Sequence, residues 1–298
     1  MGPPARIPRV LSIAGSDSGG GAGIQADLKA FAACGVHGMT AVTAITAQNT
    51  TGVSAVHHVP PDMILAQVRA VAGDIGVDAV KIGMLGDRAT IQAVARALGE
   101  LPRATPVVLD PVMVAESGAD LLEPSARSAL IELLLPLATV ATPNIPEARV
   151  LVGAGVPGGA ASADAPGAPS AREPGGAASA QHPRGAPPAD VAELARAVHA
   201  LGPGAVVITG GHRDRAIDLF FDGGMPVELP GDRHYDGAAH GSGCTHSSVL
   251  AARLAWGDEP LQAARMAKEL AAAAVRDGLR EIGAGPGPVN VLGLGRDR

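Results

Sequence analysis

Aromatic side chains are scarce in this sequence: three Phe, one Trp and one Tyr among 298 residues. That excludes broad stacking platforms for single-stranded nucleic acid. It also means that a core must come from Ala, Val, Leu and Ile. Cysteine is scarcer still. Cys34 and Cys244 make neither a disulfide framework nor a zinc site. No uninterrupted apolar run reaches the roughly 18–20 residues that span a bilayer. Net charge is −6, with 23 basic against 29 acidic side chains, so there is no global basic field for a polyanion. The first residues, MGPPARIPRVLSIAGSD, pass straight into a strand-like run and a glycine loop, without the h-region of a signal peptide. Together these features predict a cytoplasmic protein that acts on a small molecule, with neither nucleic acid nor membrane as partner.

What is present is a large apolar fraction, 47%, with mean hydropathy +0.22. A sizeable core is therefore expected. Glycine (40) and proline (25) are abundant but unevenly spread. Between 157 and 190 there is no Val, Ile, Leu, Met, Phe, Trp or Tyr. A stretch with nothing to bury cannot offset its ordering entropy. Residues 153–190 are thus expected to be a disordered insertion within a single domain spanning 1–298, rather than an interdomain linker. The motifs on either side read as parts of one site.

Elsewhere the periodicity is clear. Strand-like runs occupy 10–14, 39–47, 78–85, 106–114, 138–144, 205–211 and 217–223. Helical spacing covers 24–34, 63–72, 90–98, 125–135, 146–152, 191–201, 245–256 and 260–279, with Gly35 as a C-cap. Alternating strands and helices predict an α/β fold with a mostly parallel sheet covered on both faces. Ligands on such sheets sit beyond the strand C-termini. The Gly, Asp, Asn and Cys clusters follow the strands, as that rule expects.

The loop Gly15-Ser16-Asp17-Ser18-Gly19-Gly20-Gly21-Ala22-Gly23 joins a strand to a helix. Its glycines would let backbone N–H groups approach a polar or anionic ligand. A tight structural turn is the plainer alternative. Asp27 lies one turn into the following helix, where a carboxylate often serves only the helix dipole. A second cluster, Gly241-Ser242-Gly243-Cys244-Thr245, opens another helix. Small residues there can form an anion hole. At that terminus the dipole is expected to lower the Cys244 thiol below about 8.5 and make it a base. Cys34, on the apolar face of its helix, reads as a small buried cysteine.

The motifs GSDSGGGAGIQADLKAFAACGV, TAITAQNTTGV, VKIGML, VVLDPVMVAESG, TPNIPEA, GGH and AHGSGCTHSS occur in this order. In that order they resemble the hydroxymethylpyrimidine/phosphomethylpyrimidine kinases of thiamine biosynthesis, in the ribokinase-like superfamily. The resemblance spans the chain except 153–190 and the ends. It implies a three-layer α/β/α sandwich with a central mostly parallel sheet. It implies ATP and Mg²⁺ as cofactors and two successive phosphorylations of a small aminopyrimidine. It allows a homodimer as the assembly. By the same resemblance Cys244 is the catalytic base, and Gly15, Asp27, Gln48, Met84 and Val112 hold the pyrimidine. Asn144, Thr209, Gly210, Gly211, Gly241, Ser242, Gly243 and Lys268 face the nucleotide, and Asp110 and Glu147 face Mg²⁺. As plainer readings, Asp110 could cap a turn before Pro111 and Glu147 could sit in a first helical turn.

Several positions depart from the family pattern. Ser18 and Gly19 replace a Pro and a Ser, Ala239 a Thr, and Glu116 a Lys. Thr209 stands where many members carry a lysine on the phosphates, which leaves Lys268 and Arg213 as candidates for that charge. The rival readings are a pyridoxal kinase of the same fold and a non-catalytic pyrimidine-binding regulator. His57, His58, His182, His234 and His246 are expected to be solvated. His212 and His240 fall in site loops without a metal-like cluster.

Overall fold

The computed structural model describes residues 6–114, 118, 121–154, 191–210, 216–234 and 237–295. In chain order the strands are β1 (Arg9–Ala14), β2 (His37–Val42), β3 (Ala44–Asn49), β4 (Gly52–His58), β5 (Ala79–Ile82), β6 (Val107–Leu109), β7 (Val140–Ala141), β8 (Ala205–Ile208), β9 (Asp218–Phe221) and β10 (Val227–Leu229). The helices are α1 (Gly23–Ala33), α2 (Pro61–Asp74), α3 (Arg88–Gly99), α4 (Arg127–Leu133), α5 (Ile145–Ala154), α6 (Val191–His199), α7 (Ser242–Ala255) and α8 (Pro260–Arg276). Eight strands form one sheet in the order β10-β9-β8-β7-β6-β5-β1-β2. From β2 to β8 all neighbours are parallel; β9 and β10 close the far edge antiparallel.

Alternation on the buried strands sorts side chains to two layers. Leu11, Ile13, Val80, Ile82, Val107, Leu109, Ala141, Val206 and Ile208 face a core shared with α2 to α6. Val10, Ala79, Val108, Val140, Ala205 and Val207 face a second core, shared with α1, α7 and α8. On this second face alanines let the helices lie close: Ala263, Ala264, Ala267, Ala271 and Ala274 are the buried residues of α8. All three phenylalanines are buried in the two layers. The three-layer α/β/α arrangement is thus the one expected. Among the described residues no helix is long and apolar enough to cross a membrane.

The differences from expectation are local. The strand expected over 39–47 breaks at Thr43. Its second half, β3, leaves the sheet and pairs with β4 as a separate hairpin. β4 is exposed or half-buried along its whole length. It has no buried face to impose an alternation, so its sequence carries no strand signal. β6 stops at Leu109, before Asp110 and Pro111, and β7 has only two residues. Pro136 turns the end of the 125–135 helix into a 3-10 turn at Leu135–Leu137. Gly35 takes φ +69° just past α1, as its capping role requires. The expected insertion lies almost wholly outside the described residues.

Candidate active site

Because the central strands run parallel, their C-terminal ends share one edge, and the chemistry-bearing loops gather there. The first loop is organised from inside by Asp17, which is 1% exposed. Its carboxylate accepts the N–H groups of Gly19 (2.8 Å), Gly21 (3.0 Å) and Ala22 (2.8 Å). His240 Nε2 lies 2.9 Å from the same carboxylate. Burial pushes the Asp17 carboxyl up, but the bonds from His240, Ala22 and Gly19 outweigh it and hold it below its ordinary value. The loop N–H groups expected to meet a ligand are therefore largely engaged within the loop.

That loop interlocks with the one preceding α7. A Cβ at Gly21 would run into the His240 ring, and one at Gly241 into the Gly21 carbonyl. Gly241 also takes φ +82°, a conformation that favours glycine. The Ser242 N–H donates to Ala239 O, and the Thr245 N–H to Gly241 O. Among the described residues the N–H groups of Gly243 and Cys244 have no hydrogen-bond partner. They are the open donors at the N-terminus of a 14-residue helix. The open donors at this terminus are thus Gly243 and Cys244, with Gly241 shaping the turn and the Ser242 amide already engaged.

Cys244 is partly exposed. It accepts a backbone hydrogen bond from Gly23, the first residue of α1. One turn further along both helices, Ser248 Oγ donates to Asp27 Oδ1 at 2.7 Å. Asp27 is fully buried. Its Oδ1 also accepts from Lys81 Nζ (2.9 Å) and its Oδ2 from Ser12 Oγ (2.6 Å). Both Asp27 oxygens are therefore engaged within the protein, by Lys81 and the two serines. The expectation of an acidic thiol is overturned. Burial, with Asp27 and Asp110 nearby, pushes Cys244 up to about 12, against the opposing pull of Lys81 and the Gly23 amide. Desolvation outweighs the helix terminus.

On the side away from α7, a Cβ at Gly15 would strike the Met84 side chain. Thr43 Oγ1 donates to Met84 O. Gln48 sits at the β-bulge of β3, with Thr46 Oγ1 donating to its Oε1 at 3.3 Å. Its backbone, not its side chain, is braced by Ser18. Val112, whose N–H donates to Asp110 O, is half-buried at the end of β6.

Further along the edge, Ser247 Oγ donates to Asp110 Oδ2 at 2.9 Å. Burial pushes the Asp110 carboxyl up. Burial together with the Asp110 charge pushes Glu147 to about 7. Asn144 and Glu147 form a reciprocal capping box at α5. Asn144 N–H donates to Glu147 Oε2 (3.0 Å), and Glu147 N–H to Asn144 Oδ1 (2.9 Å). Thr209 bridges to Asn144 in parallel register. Next to it, Gly210 N–H donates to Asp218 Oδ1 at 2.9 Å. Lys268 Nζ holds that same oxygen at 2.8 Å, so it is paired within the protein rather than free. Gly211, His212, Arg213, Glu116 and His182 lie outside the described residues. His57 and His58 are exposed, as expected. His246 is not: it is 4% exposed, 3.6 Å from Asp218, and burial lowers its basicity. Cys34 is half-buried at the end of α1.

A continuous chain of contacts therefore runs along the edge. It passes from Met84 through Gly15 and Gly23 to Cys244, and through Ser247 and Asp110 towards Glu147, Asn144, Thr209, Gly210 and Lys268. Sequence reasoning missed Lys81, the ordering role of Asp17, and Asp218. A lysine inside the apolar strand VKIGML was the available signal for Lys81.

The family model for phosphomethylpyrimidine kinase matches residues 17–165 and 180–290. The hydroxymethylpyrimidine/phosphomethylpyrimidine kinase of Rhizobium meliloti (strain 1021) is 46% identical over 286 residues, covering 94% of this chain and 95% of that protein. The pyridoxal kinase of Staphylococcus aureus in complex with AMP-PCP and pyridoxal superposes with TM-score 0.78 at 32% identity, covering 98% of this chain and 96% of that one. The phosphomethylpyrimidine kinase of Clostridium difficile 630 superposes with TM-score 0.68 at 35% identity, covering 89% and 97%. A Cys-bearing helix N-terminus on a ribokinase-like sheet, together with these likenesses, places the chain in the phosphomethylpyrimidine kinase family.

Proposed function

We propose that the protein phosphorylates the hydroxymethyl group of 4-amino-5-hydroxymethyl-2-methylpyrimidine with ATP, and then its monophosphate to the diphosphate, for thiamine biosynthesis in the cytoplasm. One observation carries the reading. In a chain 46% identical to a hydroxymethylpyrimidine/phosphomethylpyrimidine kinase, Cys244 stands at a helix N-terminus with two open N–H donors. ATP as the second substrate is supported by the AMP-PCP-bound neighbour.

Phosphoryl transfer asks mainly for positioning and electrostatic stabilisation. The Gly243 and Cys244 N–H groups would hold the transferring phosphoryl oxygens. Cys244, once deprotonated, accepts the substrate hydroxyl proton while that oxygen bonds to the γ-phosphorus and the bond to the ADP oxygen breaks. Gly15, Met84, Gln48 and Val112 line the pyrimidine side. Asp27 acts from beneath, through Lys81 and Ser248.

No group of three or more His, Cys, Asp or Glu side chains placed to hold a metal occurs among the described residues. The Asp110–Glu147 neighbourhood nonetheless fits Mg²⁺. Burial pushes both carboxyls towards protonation, and the Asp110 charge adds to this at Glu147, which a dication would relieve. Mg²⁺ takes one or two carboxylates plus phosphate and water, so a full protein cage is not needed. When bound, it would neutralise phosphate charge.

Pyridoxal is the second reading, favoured by the superposition on a pyridoxal kinase. The test is an ATP-coupled assay with hydroxymethylpyrimidine, its monophosphate and pyridoxal, run on wild type and Cys244→Ala. The reading expects turnover of both pyrimidines above pyridoxal, and its loss in Cys244→Ala with pyrimidine affinity kept within a few fold. Faster turnover of pyridoxal would transfer the assignment to the second reading. Pyrimidine binding without any turnover would indicate a regulator.

A further inference from the structure

Lys81 is out of place for its strand. β5 is buried at every position, and on the face turned to α1, α7 and α8 Lys81 lies between Val108 and Ser12 of the adjoining strands and beyond Ala79 of its own. Lys81 is nevertheless 0% exposed on that face. Burying an ammonium costs several kcal/mol unless it is paired. Replacing a buried ion pair by apolar residues is often neutral or stabilising. Stability alone therefore does not explain a lysine here.

What it lies under is informative. Gly23 and Asp27 are one helical turn apart on α1, and Cys244 and Ser248 one turn apart on α7. Gly23 bonds Cys244 and Asp27 bonds Ser248, so the two helices are joined by two rungs. Lys81 reaches the lower rung from β5, on the Asp27 oxygen that Ser248 also holds. Of its three N–H donors, one meets Asp27; no other hydrogen bond to Nζ occurs among the described residues. The titratable groups facing the Cys244 thiol are Lys81 from β5, Asp27 from α1 and Asp110 after β6. β1 contributes only the hydroxyl of Ser12, and Lys268 of α8 is turned to Asp218. One cation thus faces two carboxyls and a thiol. Burial opposes the charge on Lys81, but Asp27, with Cys244 and Asp110, holds it protonated above the ordinary lysine range.

We propose that Lys81 is a positioning residue for Cys244: its buried ammonium supplies the counter-charge against which the thiol gives up its proton, and through Asp27 and Ser248 it fixes the pose of α7. This rests on Cys244 being the base, but it is tested on the thiol itself. The probe is iodoacetamide, with labelling of the Cys244 peptide followed by mass spectrometry across pH, without nucleotide. Because thiolate is the reactive form, the labelling profile reports thiol acidity whatever Cys244 does in turnover. Lys81→Met is expected to move the profile to higher pH and slow labelling about tenfold or more at fixed pH, one unit being a factor of ten. Its kcat should fall while KM for the pyrimidine stays within a few fold, and Lys81→Arg should recover part of the acidity.

If Lys81→Met does not fold, Lys81→Gln, which keeps a side-chain donor for Asp27 and loses only the charge, should fold and still show the profile displaced upward. A folded variant with an unchanged labelling profile overturns the proposal. An undisplaced profile in Lys81→Met alongside a dead Cys244→Ala would sink this inference and leave the base assignment standing. A displaced profile with an active Cys244→Ala would do the reverse.

Discussion

His240 Nε2 and Asp17 Oδ2 meet at 2.9 Å across 223 residues of sequence and bind the first glycine loop to the loop that precedes Cys244. Removing the Asp17 carboxylate leaves three loop N–H groups and a histidine without their partner. Asp17→Ala should lose about 3 kcal/mol of stability, since a few buried donors are orphaned together. Asp17→Asn, which keeps one acceptor, should lose less. The Asp17 carboxyl titrates below its ordinary 3.8 in the folded protein. Its contribution is therefore present above that value and is lost as pH falls through the lower folded value. In urea melts the gap between wild type and Asp17→Asn should narrow on acidification. A gap independent of pH would contradict the assignment.

Gly241 and Gly243 are two residues apart and should respond oppositely. Gly241 has φ +82°, and a Cβ there would meet the Gly21 carbonyl; a Cβ at Gly243 would meet nothing within 4 Å. Gly241→Ala should cost about 2 kcal/mol or more, from backbone strain and the clash, and should depress kcat by shifting the α7 terminus. Gly243→Ala should melt within about 0.5 kcal/mol of wild type, as an unstrained surface change does. Thermal melts and turnover on the pair decide this.

Glu147 couples stability to pH in the opposite sense from Asp17. Its carboxyl rises from 4.5 to about 7 in the folded protein. Between those values the folded state keeps a proton that the unfolded state has released, so stability falls as pH rises through that window. Glu147→Gln removes this titration. Relative to wild type it should gain stability between about pH 5 and 7 and hold the gain above that. Denaturant midpoints across pH measure it, and a difference that shrinks with rising pH would refute it.

Gln48 should govern the choice of ring. A side-chain amide can donate to a ring nitrogen and accept from the adjacent exocyclic amine, whereas pyridoxal lacks that amine. Gln48→Leu should cut kcat/KM for hydroxymethylpyrimidine by roughly tenfold or more, from the about 1–3 kcal/mol of an unpaired polar group. Pyridoxal turnover should change much less. The brace to Ser18 runs through the Gln48 backbone, so the variant should keep its melting temperature. Parallel loss on both substrates would show that the amide only supports the loop.

The legible parts of this protein are those whose physics is local. β8 is a continuous apolar run, β1 and β5 are apolar but for Arg9, Ser12 and Lys81, and α1 carries its stop in Gly35. Gly241 to Cys244 reads as a helix start because small residues cluster there. Illegible were the features that depend on a partner far along the chain. Lys81 looks like a stray charge until Asp27 is placed against it. The Cys244 thiol looks acidic from its helix terminus, and only burial beside Asp27 and Asp110 reverses that. Lys268 looks available for phosphate until Asp218 is seen to hold it. The β3–β4 hairpin hides because neither face of β4 is buried.

The two rungs between α1 and α7 also set an order of events in time. Asp27 and Ser248 stand 221 residues apart, and Asp17 and His240 stand 223 apart. Contacts of such sequence separation form late, after the loop-closure entropy has been met. On the ribosome the first glycine loop, Asp27 and Lys81 emerge long before the helix that completes them. Until α7 docks, a charged pair destined for full burial stands open to water on the sheet. In refolding, recovery of phosphoryl transfer should therefore trail the recovery of helical signal.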